Sequence, residues 1–144
     1  MPLIDDILSQ SRYLHRLTQR RPELATKMVA DLHEPVTGTE IAAWMTGQTV
    51  TEDNLKSVLR QLKQTVISRV AARDLAGLAP LAEVTEAMTH LAECALATAQ
   101  GVLLAALQER DGIPRSATGA RQELIVGGMG KLGGRELNVS SDID

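Results

Sequence analysis

The sequence predicts a mostly α-helical chain, a bundle of helices that runs into the first strand or strands of an α+β domain. Two features of the 144 residues predict this. From residue 3 to about residue 110, apolar positions recur every three or four residues, which is the period of one helix face. Beyond Pro114 there is no proline, and five of the eleven glycines lie between Gly127 and Gly134. We therefore expect a helical region over 1–115 and the start of a second domain over 116–144.

Prolines and glycines set the order of the first helices. Pro22 suits the first turn of a helix, because its missing N–H would have no helical partner there. Pro35 and Gly38 interrupt the apolar pattern. Helices are therefore expected over about 3–19, from 22, and from about 39. The short third helix carries Ile41, Ala42 and Trp44, and core packing is the expected role of the tryptophan.

Two long helices follow, each with an apolar stripe. Thr51 is a predicted N-cap for the first, and Gly77 a plausible stop. Pro80 suits the start of the second, which is expected to end near Gly112. The stripe positions are Leu55, Leu59, Leu62, Val66 and Val70 in the first, and Leu81, Val84, Met88, Leu91, Ala95, Val102 and Ala106 in the second.

The composition argues against several classes of function. The net charge is −3, so no basic excess exists to neutralise nucleic acid or an anionic membrane. Tyr13 and Trp44 are the only aromatic side chains, too few for a base-stacking surface. A glutamate and a glutamine interrupt the most apolar stretch, 91–107, which is not expected to span a bilayer. The lone Cys94 and an acidic N-terminus without a secretory signal favour the cytoplasm.

The pattern changes after the last long helix. Residues 111–122 are rich in turn-forming residues and are the best candidate for a linker. The apolar run Leu124–Val126, followed by a glycine pair, predicts a short buried strand.

The last residues carry the strongest chemical signal. In an extended strand, Asp142 and Asp144 point to one side and Ile143 to the other. Two carboxylates on one face suit Mg²⁺ or Mn²⁺, and they are the candidate catalytic and metal-binding residues. The alternative is two exposed acids in a turn, which is the usual explanation of an isolated D-x-D.

A glycine-rich turn precedes these acids. Its backbone N–H groups can approach phosphate oxygens, and a lysine and two serines add a charge and hydroxyls. Two familiar glycine motifs fit poorly, because the dinucleotide fingerprint lacks the long helix that must follow it and the P-loop lacks its first glycine. The candidate phosphate- or nucleotide-binding residues are Gly130, Lys131, Gly133, Gly134 and Ser141.

These residues resemble a known superfamily. Val126-Gly127-Gly128, thirteen residues and then Asp142-Ile143-Asp144 match the signature of polymerase-β-like nucleotidyltransferases. The pair Gly133-Gly134 would leave a spacer of seven residues, so the glycine pair that contacts phosphate stays open. The string GMGKLGGRELNVSSDID resembles the glutamine synthetase adenylyltransferase/adenylyl-removing family, and its N-terminal, adenylyl-removing half more than its C-terminal half. The helical segments before it resemble the family more loosely.

The resemblance implies a chemistry and partners. The removing half uses phosphate to release AMP from adenylyl-tyrosine on glutamine synthetase as ADP, and the other half uses ATP to put AMP back. Asp142 and Asp144 would bind the metal, and the glycine turn with Ser141 would hold phosphate or nucleotide, with Lys131 as a weaker candidate. A PII-type signalling protein and glutamine would regulate the enzyme. The family's third carboxylate and second half are not among these residues, so the 144 residues alone are expected to be inactive.

Other residues favour plainer roles. His90 and Cys94 have zinc-ligand spacing on a helix, but two ligands do not make a site. The basic stripes Arg12/Arg16/Arg20 and Lys56/Arg60/Lys63 are typical of solvated faces, and Arg69, Arg73 and Asp74 of ion pairs within one helix. The alternatives to the enzyme are a helical docking module without catalysis and a nucleotidyltransferase with another acceptor.

Overall fold

A computed structural model describes residues 4–141 of the chain. In that range the chain forms seven helices, and α5 and α6 are the longest, with 21 and 31 residues. The helices are α1 Ile4–Gln10, α2 Arg12–Arg20, α3 Pro22–Ala30, α4 Gly38–Thr46, α5 Leu55–Leu75, α6 Leu81–Asp111 and α7 Gly130–Gly133. The predicted helical bundle is confirmed, with α3 beginning at Pro22 and α6 following Pro80 as expected.

Two helix starts differ from the prediction. The single first helix is interrupted at Ser11, whose hydroxyl accepts a hydrogen bond from the Leu14 amide and caps a new helix. Its expected start at Leu3 lies outside the described residues. Thr51 caps a turn rather than α5, because its hydroxyl accepts from the Asn54 amide and the helix begins at Leu55. In both places a side-chain oxygen satisfies a free backbone N–H and so fixes the local boundary.

The core has two parts, both built on α5. One lies between α4, α5 and α6 and is centred on Leu62, Val70 and Met88. The other packs α1, α2 and α3 against the Ala71–Ala72 segment of α5. Leu137, near the end of the described chain, is 3% exposed and belongs to the first part. The segment that follows the glycine-rich turn is therefore fastened to the helical bundle by an apolar anchor.

Two buried arginines of α5 correct another prediction. Their partners are not on the same helix: Arg69 pairs with Asp31 and Glu40, and Arg73 pairs with Glu83. This face of α5 points into the bundle, so carboxylates from other elements reach the guanidinium groups. The network ties the α3–α4 connection to α5 and α6. Asp74, on the opposite side, is exposed.

The region after α6 does not form the strand that the sequence predicts. Leu124, Ile125 and Val126 are 60%, 89% and 50% exposed and have no helix or strand assignment. Over residues 4–141 the only strand-like pairing is an isolated antiparallel bridge between Arg115 and Arg121 in the predicted linker. A strand is stabilised by neighbours in a sheet, and the described residues supply none beside this run.

The second half of α6 extends away from the core. Its buried residues end at Ala92, and its later apolar side chains, such as Leu103 and Leu107, are exposed. By length and composition this helix could cross a membrane, whereas the sequence predicts no span. Of its most apolar 18-residue stretch, 11% is buried inside the protein. Its first half, however, packs into the bundle through Val84 and Met88 and carries ion-paired glutamates. These contacts make α6 a bundle helix with one uncovered end.

Candidate functional site

An open cleft lies where the glycine-rich turn passes the bundle. Its volume is about 680 Å³. Its apolar lining residues are Leu96, Val126, Met129, Leu132 and Leu137, and a lysine, two serines and two glycines line the rest. The polar lining consists of Gly127, Gly128, Lys131, Ser140 and Ser141. Lys131 and Ser141, two of the residues that the sequence proposes for phosphate, both line this cleft.

The glycines of the turn contribute unequally to the cleft. Gly127 and Gly128 line it together with the serines. Gly133 lines an adjoining depression of about 500 Å³ with Glu93 and Arg135, and Gly128 lines both. Gly130 and Gly134 are exposed and line neither cavity. In the described residues, the glycine pair that lines the cleft with the serines is Gly127–Gly128, the pair with the thirteen-residue spacer.

Close backbone packing explains why glycines occupy this turn. A Cβ atom on Gly133 would lie 2.5 Å from the carbonyl oxygen of Gly128, and one on Gly128 would lie 3.2 Å from the Leu132 side chain. Gly130 has a φ of +56°, a conformation that side chains disfavour. The chain therefore folds back on itself over residues 128–133. The turn leaves its backbone exposed beside the cleft, where an anion could reach the N–H groups.

The serines are held by a residue that the sequence analysis did not single out. The side-chain oxygen of Asn138 accepts hydrogen bonds from the Ser140 amide, the Ser140 hydroxyl and the Ser141 hydroxyl, at 3.1, 2.9 and 3.0 Å. The Ser141 hydroxyl in turn accepts from the Asn138 amide at 3.1 Å. This turn orients both hydroxyls before the acidic motif. The N-x-S-S spacing is the signal that predicts it, because asparagine commonly bonds to the residues just after it.

Lys131 is exposed on the rim of the cleft. It forms no ion pair with another residue in the range 4–141. An ammonium group on a flexible stem suits attraction of a phosphate by charge rather than by fixed geometry. Asp142 and Asp144, the predicted catalytic and metal-binding residues, lie outside the described residues.

The described residues contain no cluster of three or more potential metal ligands among histidine, cysteine, aspartate and glutamate. His90 lies between Glu86 and Glu93, 3.5 and 3.4 Å from their carboxylates, and Cys94 packs partly buried against the core. Burial raises the pKa of the Cys94 thiol, which disfavours the thiolate that a metal requires. A zinc site at His90 and Cys94 gains no support.

The fold and the cleft define a helical domain that ends in a glycine- and serine-lined turn. Compared with known families, residues 2–144 match the model of glutamate-ammonia ligase adenylyltransferase. The chain belongs to this family. No solved structure matches it.

Three relatives illustrate the similarity, and each bears the name bifunctional glutamine synthetase adenylyltransferase/adenylyl-removing enzyme. The protein of Burkholderia mallei is 50% identical over 95% of this chain, that of Aromatoleum aromaticum 47% over 94%, and that of Nitrosomonas eutropha 43% over 99%. The chain spans 14–16% of the length of these relatives. The predicted family is confirmed, and the activity of the longer proteins enters only as a proposal.

Proposed function

We propose that this chain is the helical lead and the opening of the catalytic domain of an enzyme that controls glutamine synthetase by reversible adenylylation, and that it belongs to the adenylyl-removing half. The family match over residues 2–144 supports the class of enzyme. The observation that carries the assignment of the site is the cleft itself. Gly127, Gly128, Lys131 and Ser141 line it, and the next residues along the chain are Asp142-Ile143-Asp144.

The proposed reaction is a phosphorolysis. An oxygen of inorganic phosphate attacks the α-phosphorus of adenylyl-tyrosine on glutamine synthetase. The new P–O bond forms as the bond to the tyrosine oxygen breaks, that oxygen takes up a proton, and the products are ADP and unmodified tyrosine. The turn over 127–131 would hold phosphate oxygens through backbone N–H groups. Lys131 would add positive charge, and the Ser141 hydroxyl, which donates its single hydrogen to Asn138, would turn that hydrogen to a phosphate oxygen when phosphate binds.

Asp142 and Asp144 would bind a divalent cation, Mg²⁺ or Mn²⁺. Carboxylate oxygens are the ligands these ions prefer, and a bound cation would neutralise charge on the phosphates. The described lining of the cleft is compatible with a cation bound by these two acids. It offers hydroxyls and backbone groups that can bind phosphate, and the two carboxylates would bind the cation. In a protein as long as the relatives, residues outside this chain would supply a third carboxylate. The ATP-dependent adenylylating half and the response to a PII-type protein would also belong to that longer protein.

The exposed run Leu124–Val126 would become the first strand of the catalytic sheet when neighbouring strands are present. Its three apolar side chains are 50–89% exposed, which suits a segment that pairs and packs in a larger domain. The two basic stripes, Arg12/Arg16/Arg20 on α2 and Lys56/Arg60/Lys63 on α5, are exposed. They would be available for docking to a protein partner.

The decisive experiment uses a protein of the relatives' length that contains this chain. The double variant Asp142→Asn/Asp144→Asn is assayed for ADP release from adenylylated glutamine synthetase with phosphate and Mg²⁺. We expect a loss of at least 100-fold relative to the unmodified enzyme. Asp53→Asn, an exposed acid on the turn before α5, is the matched control and should retain activity. Survival of deadenylylation in the double variant would overturn the site.

A second arm tests the 144-residue chain alone. It is expected to release no ADP, because it spans only 14–16% of the length of the relatives. Measurable phosphate-dependent release would contradict that expectation. Binding of adenylylated glutamine synthetase by the longer protein without any turnover would favour the docking module instead.

A further inference from the structure

Arg135 has a backbone conformation that arginine disfavours. Its φ is +56°, and among the described residues it is the only residue other than glycine with positive φ. It follows the C-cap of α7, where its amide donates to the Leu132 carbonyl at 3.2 Å and the Glu136 amide donates to the Lys131 carbonyl at 2.7 Å. These two bonds form a Schellman motif, and glycine is the usual residue at the position that Arg135 occupies. The side chain must therefore supply something that glycine would not.

The Arg135 side chain bridges the turn to α6. Its Nε and Nη2 atoms donate to the two carboxylate oxygens of Glu86, at 3.2 and 2.7 Å, and Nη1 donates to Glu93 at 2.8 Å. The two glutamates are seven residues apart, which places them on one face of the helix. This guanidinium lowers the pKa of Glu86 and keeps its carboxylate charged. All three donor atoms of the guanidinium fork are thus committed to one helix face.

The contact is not a core contact. The Arg135 side chain is 41% exposed and both glutamates are 50% exposed, and such surface pairs contribute little to global stability. What they can do is fix geometry. Residues 121–131 are all exposed, and the Gln100 side chain provides one further link, to the Leu124 carbonyl at 2.8 Å. The glycine turn is otherwise held by Leu132 and Leu137.

We propose that Arg135 is a positioning residue, which holds the glycine turn at 128–133 in a fixed place against α6 through Glu86 and Glu93 and so sets the position of the phosphate-binding groups. The role in phosphate binding rests on the proposed function; the mechanical role does not. Arg135 is not among the residues that line the cleft. Its ion pairs to α6 restrict the movement of a turn whose glycines allow many backbone conformations.

The test compares Arg135→Gly with Arg121→Gly. Glycine fits the backbone at position 135, so the variant removes the clamp without disturbing the turn itself. Arg121 is an exposed arginine of the linker and provides a matched loss of charge. Hydrogen exchange in the full chain is measured at the Gly133, Gly134 and Glu136 amides. We expect exchange at least tenfold faster in Arg135→Gly and in Glu86→Gln/Glu93→Gln, with α5 amides unchanged. Unchanged protection at the turn would overturn the proposal.

The second readout is catalytic and uses the longer enzyme. Arg135→Gly should lower kcat for ADP release about tenfold or more with KM for adenylylated glutamine synthetase changed less than twofold, because misplaced groups fail mainly in the transition state. Arg135→Lys should restore part of kcat. If the turn loosens while kcat stays at the unmodified value, the positioning role is wrong. If the unmodified enzyme releases no ADP, the proposed function fails, while the exchange measurement still decides whether the clamp exists.

Discussion

Arg73 of α5 and Glu83 of α6 form a two-point ion pair in the interior of the bundle. Nε and Nη2 of the arginine donate to the two carboxylate oxygens at 2.7 and 2.8 Å, and the side chains are 4% and 9% exposed. Arg73 also donates to the Leu32 carbonyl at 2.6 Å, and Glu83 accepts from the Val36 amide at 3.1 Å. One pair therefore joins two long helices and the connection between α3 and α4.

Removal of the arginine from this pair should strongly destabilise the fold. Arg73→Met leaves the Glu83 carboxylate without its countercharge and the Leu32 carbonyl without the guanidinium donor, and we expect a loss of about 3 kcal/mol in the free energy of unfolding, measured with urea. Lys56→Met, on the exposed face of the same helix, is the control and should leave the urea midpoint unchanged. Equal midpoints for the two variants would show that the pair is not a structural tie.

The same pair should make stability depend on acid pH. The hydrogen bonds and charge of Arg73 lower the pKa of Glu83 below its ordinary value of 4.5. The unfolded chain therefore binds the proton first as the pH falls, so stability is present above about pH 4.5 and is lost as the pH drops through the lowered pKa. Urea midpoints between pH 7 and pH 3 should fall less steeply for Glu83→Gln than for the unmodified chain. A gap between the two that is as wide at pH 3 as at pH 7 would contradict this origin.

A glycine at the start of α4 allows a histidine of α6 to come close. A Cβ atom on Gly38 would lie 2.6–2.7 Å from three atoms of the His90 ring. Gly38→Ala should therefore destabilise the fold by about 1–3 kcal/mol, because the ring must move. In a His90→Ala background the same substitution should be neutral or slightly stabilising, since alanine is the better helix former. Thermal unfolding of the four proteins tests this, and additive effects would argue against the contact.

Two adjacent glycines of the turn should respond differently to alanine. A Cβ atom on Gly133 would lie 2.5 Å from the Gly128 carbonyl oxygen, whereas one on Gly134 would make an ordinary contact of 3.4 Å. We expect Gly133→Ala to displace the turn and, in the longer enzyme, to lower ADP release about tenfold or more. Gly134→Ala should retain most of the activity. Comparable activity of the two variants would mean that the backfolded turn is not needed for the reaction.

The helical part of the fold could be predicted from the sequence because its signals are local. Pro22 and Gly112 mark helix boundaries through their own backbone chemistry, and the periodic stripe of α5 corresponds to the buried face around Leu62 and Val70. The prediction of one helix over about 3–19 missed the break at Ser11, and the predicted N-cap Thr51 lies before the turn that precedes α5, because one side-chain hydrogen bond decides where a helix begins. The strand predicted at 124–126 does not form in the described residues, since a strand needs partners from distant residues and a local apolar run does not supply them.

The sequence by itself determined the family, because its motif is continuous along the chain. Of the residues it proposes for phosphate, Lys131 and Ser141 line the cleft, whereas Gly130, Gly133 and Gly134 do not. Only the tertiary structure decided which carboxylates pair with Arg69, Arg73 and Arg135, because those partners are 10 to 49 residues away in sequence and come together only when the helices pack. Long-range ion pairs depend on the relative placement of whole elements. That placement depends on which apolar faces pack against each other when they are buried. The pattern within one helix predicts its apolar face but not the face that covers it.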